Sequence, residues 1–127
     1  MGKARAEIDI NRPADEVWAV VGDFGGIAGW MPGIESCHID GDDRVIKTMG
    51  MEVTERLERR DEEEHELIYA IVGGVPVINH QATITVVPDG NKKSHVTWDV
   101  DVDDDMTDLL HQMYQQSLVS LKEHLHG

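Results

Sequence analysis

Cysteine is almost absent from this chain of 127 residues, in which Cys37 is the only one. An internal disulfide is therefore impossible, which excludes a small scaffold held together by such bonds. A chain of this length buries enough apolar surface to fold without cross-links. We expect a single domain over residues 1–127, in a reducing cytoplasmic environment.

Basic residues are also scarce, with 11 Lys and Arg against 25 Asp and Glu, so the formal net charge is −14. Nucleic-acid binding depends on Lys and Arg that neutralise the phosphate backbone. Attraction to an anionic membrane surface depends on the same residues. We therefore predict neither nucleic acid nor a membrane surface as a partner.

Long hydrophobic runs are missing as well. The longest apolar stretch, Leu67–Ile78, is interrupted by glycines and a proline and is too short to cross a bilayer. The segment Met1–Ile10 lacks the apolar core of a secretory signal. We predict no membrane insertion.

The hydrophobic pattern begins as a strand and ends as a long helix. Residues 4–10 alternate apolar and polar side chains, and Pro13 suits the start of a short helix that extends to residue 22. A further turn over 27–31 precedes Pro32. The last 20 residues carry a helical apolar stripe, with Asp105 as the expected cap. Between them the pattern predicts strands over 34–39, 44–49, 51–59, 66–72, 79–87 and 93–103.

This order of elements predicts an α+β fold. The strands do not alternate with helices, so an antiparallel sheet is expected. The terminal helix is the only long element available to cover the apolar face. We predict a helix-grip architecture, in which a curved antiparallel sheet of about seven strands surrounds a long C-terminal α-helix. One or two short helices follow the first strand, and the space between sheet and helix can form a cavity.

Four short stretches carry a family resemblance: Pro13–Trp18, Trp30–Ile34, Thr54–Leu57 followed by Asp61, and Val96–Trp98. Their order and spacing resemble the helix-grip (START-like, SRPBCC) superfamily. That group includes lipid carriers, polyketide cyclases and aromatases, birch-pollen allergens and the plant abscisic-acid receptors. The chain is most similar to the polyketide cyclase/dehydrase-like branch, with a likeness to the receptors. The resemblance implies the fold, on which the cavity sets the function.

The likeness to the receptors implies two loops that close over a ligand, at Thr48–Met51 and Gly73–Val77. It also places Glu35 where a receptor lysine pairs with the carboxylate of an acidic hormone. Two carboxylates repel each other in a low-dielectric pocket. A neutral or cationic ligand is therefore favoured.

Strand alternation and the resemblance together predict which side chains face the cavity. Most of them are apolar, and the alternative interpretation is an ordinary filled core. The predicted ligand-binding residues are Trp30, Glu35, Met49, Met51, Val53, Tyr69, Ile71, Val75, Pro76, Val77, Ala82, Trp98, Val100, Met113, Tyr114 and Ser117.

Glu35, Glu55 and His80 are polar residues on faces predicted to point inward. Burying charged groups is costly unless they are paired, so they indicate a polar network, internal water or a ligand. His80, with an ordinary pKa of about 6.5, and Glu55 are candidate proton carriers for proton removal next to a carbonyl group. Tyr69 or Tyr114 is suited to donate to the carbonyl oxygen. The alternatives are a structural pair or an outward-facing strand.

The sequence contains no complete pattern for a metal or a cofactor site. The acidic run Asp99–Asp103 resembles the start of a calcium loop, but Asp104 and Leu110 occupy its glycine and glutamate positions. The glycines over 22–29 follow a helix rather than a strand, which does not fit a dinucleotide-binding loop. We therefore predict neither a metal nor a cofactor.

Three functions remain open. The first is binding of a small hydrophobic or aromatic molecule, polyketide- or lipid-like, in an internal cavity of roughly 300–1,000 Å³. The second is a cyclase, aromatase or dehydratase that uses His80 and Glu55 in the same pocket without a cofactor. The third is an interaction module whose loops present a surface to a partner protein once a ligand is bound. The oligomeric state is not predicted.

Overall fold

The computed structural model describes residues 2–74, 80–102 and 104–126, with side chains in the last range from residue 107 onward. Seven strands, two α-helices and a short 3-10 helix make up the described part of the chain. Their order is β1 Gly2–Ile10, α1 Ala14–Val21, the 3-10 helix Phe24–Gly29, β2 Ile34–Asp40, β3 Asp43–Thr48, β4 Met51–Asp61, β5 Glu66–Gly73, β6 Gln81–Asp89, β7 Lys93–Val102 and α2 Asp104–His126.

The strands form one antiparallel sheet in the order β1-β7-β6-β5-β4-β3-β2. Consecutive strands from β2 to β7 are neighbours, whereas β1 pairs with β7 along its whole length, from Gly2↔Val102 to Ile10↔Ser94. The sheet curves around α2, and α1 follows β1. The predicted helix-grip fold is confirmed.

Period-two alternation determines which face of the sheet is buried. On β7, Val96, Trp98, Val100 and Val102 are buried, while Asp99 faces outward and pairs with Arg5 of β1. Side chains at alternate positions point to opposite faces of a strand, so from Val96 to Val102 the buried face of β7 is apolar. The helix α2 covers this face with a stripe that the structure buries at Leu110, Tyr114, Ser117, Leu118 and Leu121.

The alternation fails on β2. Its pairing with β3 shifts register between Ile34 and Ser36, which is the effect of a β-bulge. Glu35 is consequently exposed, and Cys37 is only partly buried. The prediction that Glu35 faces the interior is therefore wrong, and the argument on ligand charge drawn from it no longer holds.

Several boundaries differ from the expected ones. The 3-10 helix begins at Phe24 rather than residue 27. The strand expected from residue 79 begins at Gln81. Since α2 begins at Asp104, Asp105 lies inside the helix, and its side chain is outside the described residues, as is Asp103.

The turn between β3 and β4 consists of two residues, Met49 and Gly50, between the paired Thr48 and Met51. Both have positive φ, 50° and 75°. This combination is the mark of a tight hairpin turn whose twist matches the strands. Met49, expected at the end of a strand, is therefore a turn residue.

In the described part of the chain, no helix combines the length and apolar character needed to cross a membrane.

Candidate ligand-binding site

A pocket of about 470 Å³ lies between the inner face of β3–β5, the segment 27–34 and the first half of α2. Since α2 packs mainly against β1 and β7, it leaves the inner face of the more distant strands partly uncovered. Most of the described wall is apolar. The apolar side chains that line it are Ile27, Met31, Pro32, Ile34, Ile46, Met49, Met51, Val53, Ile71, Leu109, Leu110 and Met113.

Four polar side chains also line the pocket: Thr48, Glu55, Tyr69 and Tyr114. Thr48 is already engaged, because its Oγ1 donates to the carbonyl oxygen of Gly33 at 2.8 Å. In the described wall, the other three are the polar side chains available to interact with a ligand.

Glu55 is held by a buried arginine on the neighbouring strand. Arg44 of β3 lies opposite Glu55 of β4 in the register, and its Nε donates to Glu55 Oε1 at 2.7 Å. Its Nη2 lies 2.7 Å from the same oxygen, and its Nη1 donates to the carbonyl oxygen of Phe24 at 2.9 Å. The guanidinium carbon lies 3.9 Å from the centre of the Phe24 ring and 4.9 Å from that of Tyr69.

Arg44 is only 2 % exposed, so its charge needs a counterion. Burial raises the pKa of the Glu55 carboxyl, and the guanidinium of Arg44 opposes that effect. Because arginine stays protonated in proteins, a neutral Glu55 would leave a buried positive charge without compensation. We infer that the pair is ionised and neutral as a whole.

His80 lies just before β6, and the ring is buried behind Tyr114. The backbone N–H of Ile71 donates to His80 Nδ1 at 3.1 Å, and His80 Nε2 lies 3.0 Å from the hydroxyl oxygen of Tyr114. Burial lowers the pKa of His80 to about 4, so the ring is neutral at pH 7. A neutral imidazole has one donor and one acceptor nitrogen, and both are already in use.

The hydroxyl of Tyr69, like that of Tyr114, receives a hydrogen bond from a buried ring. Trp98 Nε1 donates to it at 3.1 Å, and the Trp98 ring stacks on the Tyr114 ring with 4.0 Å between centres. Burial is the main cause that raises the pKa of both tyrosines well above the ordinary value. The neighbouring Tyr114 hydroxyl raises the pKa of Tyr69 further, and the charge of Glu55 raises that of Tyr114 further. Both hydroxyls therefore keep their protons at neutral pH and act as hydrogen-bond donors.

The structure brings about half of the predicted site residues into the pocket wall. Those that line it are Met49, Met51, Val53, Glu55, Tyr69, Ile71, Met113 and Tyr114.

The other predicted site residues lie elsewhere. Val75, Pro76 and Val77 lie outside the described residues, and Glu35 is exposed. Buried away from the described wall are Trp30, His80, Ala82, Trp98, Val100 and Ser117.

The physical reason is that α2 packs against β1 and β7 and closes that part of the inner face. Trp30 packs against Trp98 with ring centres 5.9 Å apart, and Ser117 turns its hydroxyl back to the Met113 carbonyl oxygen at 2.7 Å. His80 contacts Tyr114 rather than the pocket, so its predicted direct contact with a ligand needs correction.

Sequence reasoning missed Arg44 and much of the pocket wall. Arg44 alternates with Ile46 on one face of β3, and that pattern could have placed both inside. In the stretch Trp30–Ile34 only Trp30 was predicted to bind a ligand, and the structure places its neighbours in the wall instead. The residues missed in the wall are Ile27, Met31, Pro32, Gly33, Ile34, Ile46, Thr48, Leu109 and Leu110.

Residues 1–126 match the family described as polyketide cyclase / dehydrase and lipid transport. No curated protein matches the chain significantly. Among solved structures, the protein XoxI from Bacillus cereus is 26% identical with a TM-score of 0.91, over 97% of this chain and 94% of that one.

Two more distant structures share the fold. A START superfamily protein from Mycobacterium smegmatis is 15% identical with a TM-score of 0.77, over 97% of this chain and 93% of that one. The di-domain ARO/CYC BexL of the BE-7585A biosynthetic pathway is 18% identical with a TM-score of 0.85. The match covers 99% of this chain and 47% of BexL.

Proposed function

The chain belongs to the polyketide cyclase / dehydrase and lipid transport family of the START-like superfamily, and on that basis we propose that it binds a small hydrophobic molecule. The ligand is aromatic, polyketide- or lipid-like, and occupies the pocket between the sheet and α2. The observation that carries this proposal is a wall of apolar side chains around about 470 Å³. Pockets for small molecules have this size and this character.

Methionines contribute to the pocket on every side. Met31 follows the 3-10 helix, Met49 lies in the tight turn, Met51 begins β4, and Met113 lies on α2. The methionine side chain is flexible and polarizable, which suits a wall that adapts to several ligand shapes. The pocket is therefore expected to accept a class of related molecules rather than one rigid shape.

Filling the pocket tests the proposal. Ile71 lines it, whereas the next residue, Val72, is 47% exposed. We expect Ile71→Trp to weaken binding of the neutral fluorescent probe N-phenyl-1-naphthylamine at least tenfold. Val72→Trp is the matched control and should bind it like the unmodified protein. Native mass spectrometry of the gently purified protein would identify any co-purifying ligand. Equal binding by the two variants would refute the proposed site.

A second candidate function is cyclisation or dehydration of a polyketide in the same pocket. The observation in its favour is that Glu55 and Tyr114 both line the pocket. Proton removal next to a carbonyl requires an acceptor of this kind, and the enolate oxygen requires a donor. His80 acts on that reaction only through Tyr114.

Product analysis separates turnover from binding. A poly-β-ketone thioester incubated with the protein should yield a cyclised product that Tyr114→Phe no longer forms. Return of the substrate unchanged, together with measurable affinity for it, would leave binding as the function.

A further inference from the structure

Glu55 has one carboxylate oxygen that its own ion pair leaves unused. Arg44 engages only Oε1, with Nε and Nη2 each 2.7 Å away. Oε2 accepts no hydrogen bond from the described residues, although it is not shut off from solvent. Glu55 is 7% exposed and lines the pocket, so the pocket is the space that Oε2 meets.

This free oxygen restricts the ligand group that can lie beside it. An ionised carboxylate only accepts hydrogen bonds. A ketone or carboxylate oxygen of a ligand would place a second acceptor against Oε2, with no proton between the two atoms. Because an unpaired buried acceptor is costly, the group that fits this position is a hydrogen-bond donor, such as a hydroxyl or an amine.

The surrounding charges favour a positive donor over a neutral one. Among the described residues that line the pocket none is cationic, and the aromatic rings of Tyr69 and Tyr114 attract cations. Burial raises the pKa of the Glu55 carboxyl even with Arg44 beside it, so its negative charge is only partly compensated. The net charge of −14 also attracts cations toward the protein.

From this geometry we propose that the pocket binds amphiphilic amines, which are molecules with an apolar body and a protonated amine that donates to Glu55 Oε2. This inference rests on the proposed binding function and names the ligand class. The apolar walls enclose the body of the ligand, and the hydrogen bond at its head is charge-assisted on both sides. The residue that sets the ligand charge is thus Glu55 rather than the exposed Glu35.

Four naphthalenes with the same ring system and different head groups test the selection. 2-(Aminomethyl)naphthalene is protonated at neutral pH, and 2-naphthalenemethanol is an uncharged donor of nearly the same shape. 2-Ethylnaphthalene lacks a polar group, and 2-naphthoate is anionic. Dissociation constants for the full chain are measured by calorimetry.

We expect the amine to bind roughly ten- to a hundredfold tighter than the ethyl compound, the usual contribution of a hydrogen bond to a charged group. The alcohol should fall between these two, because it donates without carrying a charge. The naphthoate should bind most weakly, since its carboxylate would have to be desolvated beside that of Glu55.

The role of Glu55 is tested with a variant that removes the whole ion pair. Glu55→Gln alone leaves Arg44 buried without a counterion, whereas Arg44→Met combined with Glu55→Met removes both charges. This double variant should lose the preference for the amine and bind the ethyl compound as the unmodified protein does. Glu52→Gln is the matched control, because it removes an exposed carboxylate from the same strand, and it should keep the preference.

The two proposals fail in different ways. If the alcohol or the ethyl compound binds as tightly as the amine, the selection of amines is overturned and the binding function stands. A preference for the amine that persists in the double variant would overturn it equally, because Glu55 would then not be its cause. Absence of binding by all four compounds would count against both proposals.

Discussion

The ion pair of Arg44 and Glu55 is the residue-scale feature on which the polar end of the pocket depends. It joins two adjacent strands and fixes the backbone carbonyl of Phe24 at the 3-10 helix. A buried pair adds little net stability relative to apolar residues, but loss of one partner leaves the other charge buried without a counterion. Its contribution is therefore to hold β3, β4 and the 3-10 helix in one arrangement.

We expect Glu55→Gln to lower the free energy of unfolding by about 3–5 kcal/mol, because Arg44 is then buried without a counterion. Arg56→Gln is the matched control, since Arg56 pairs with Asp43 across the same two strands but is exposed. Its loss should cost far less, because solvent screens an exposed pair. Urea unfolding measures both, and similar losses would contradict this account of Arg44.

His80 gives the stability of the protein a pH dependence of known sign. Its pKa is about 4 in the folded chain and about 6.5 when unfolded, so between these values the unfolded state binds more protons. The contribution of His80 is therefore complete above pH 6.5 and is lost as the pH falls toward 4. Compared with His80→Gln, the unmodified protein should lose roughly 3 kcal/mol more over that interval.

The control for this titration is His95, whose pKa is raised by hydrogen bonding to Asp9 and also Glu7. Its contribution has the opposite sign, being present at low pH and lost as the pH rises through its folded value. As the pH rises, the unmodified protein should therefore lose stability relative to His95→Gln, as measured by urea unfolding. If the free energies of unfolding of His80→Gln and the unmodified protein change with pH in parallel, the role of His80 burial is refuted.

At the scale of elements, the turn between β3 and β4 combines backbone strain with exposure. Met49 has a φ of 50° and is 72% exposed, yet its side chain lines the pocket. The left-handed region is unfavourable for a side chain of this kind. Backbone strain of this kind is often found at functional sites, and here it holds a largely exposed methionine against the pocket at the expense of stability.

Met49→Asn should therefore stabilise the protein by about 1 kcal/mol, since asparagine tolerates positive φ. The same change should weaken binding of N-phenyl-1-naphthylamine, because an apolar wall residue is lost. Gly50→Ala is the comparison and should destabilise, as Gly50 has a φ of 75°. Thermal unfolding and probe titration measure the two effects, and a loss of stability in Met49→Asn would argue against strain at this turn.

Elements with clear alternation could be predicted from the sequence, and those that depend on long-range packing could not. On β7 the apolar residues Val96–Val102 recur at every second position, so the buried face followed directly. Glu35 was misplaced because a bulge shifts the period, and no local signal in the sequence marks it. Arg44 alternates with the buried Ile46, so the sequence could have placed it inside, whereas its pairing with Glu55 is set by the register between strands.

At the scale of the whole molecule, the pocket depends on where α2 lies across the sheet. The apolar stripe of α2 predicted that the helix is buried, but not which strands it covers. That position decides that Leu109 and Leu110 line the pocket while Trp98 and Val100 are sealed in the core. The family and the fold were thus accessible from short motifs, whereas only half of the site was.

The pairing of the first strand with the last has a consequence for biosynthesis. Gly2 pairs with Val102, so β1 has no partner in the sheet until β7 has left the ribosome. Contacts between such distant positions slow folding, and unpaired strand edges are prone to aggregate. During translation the β2–β5 meander can therefore assemble before β1, which pairs only after β7 has emerged.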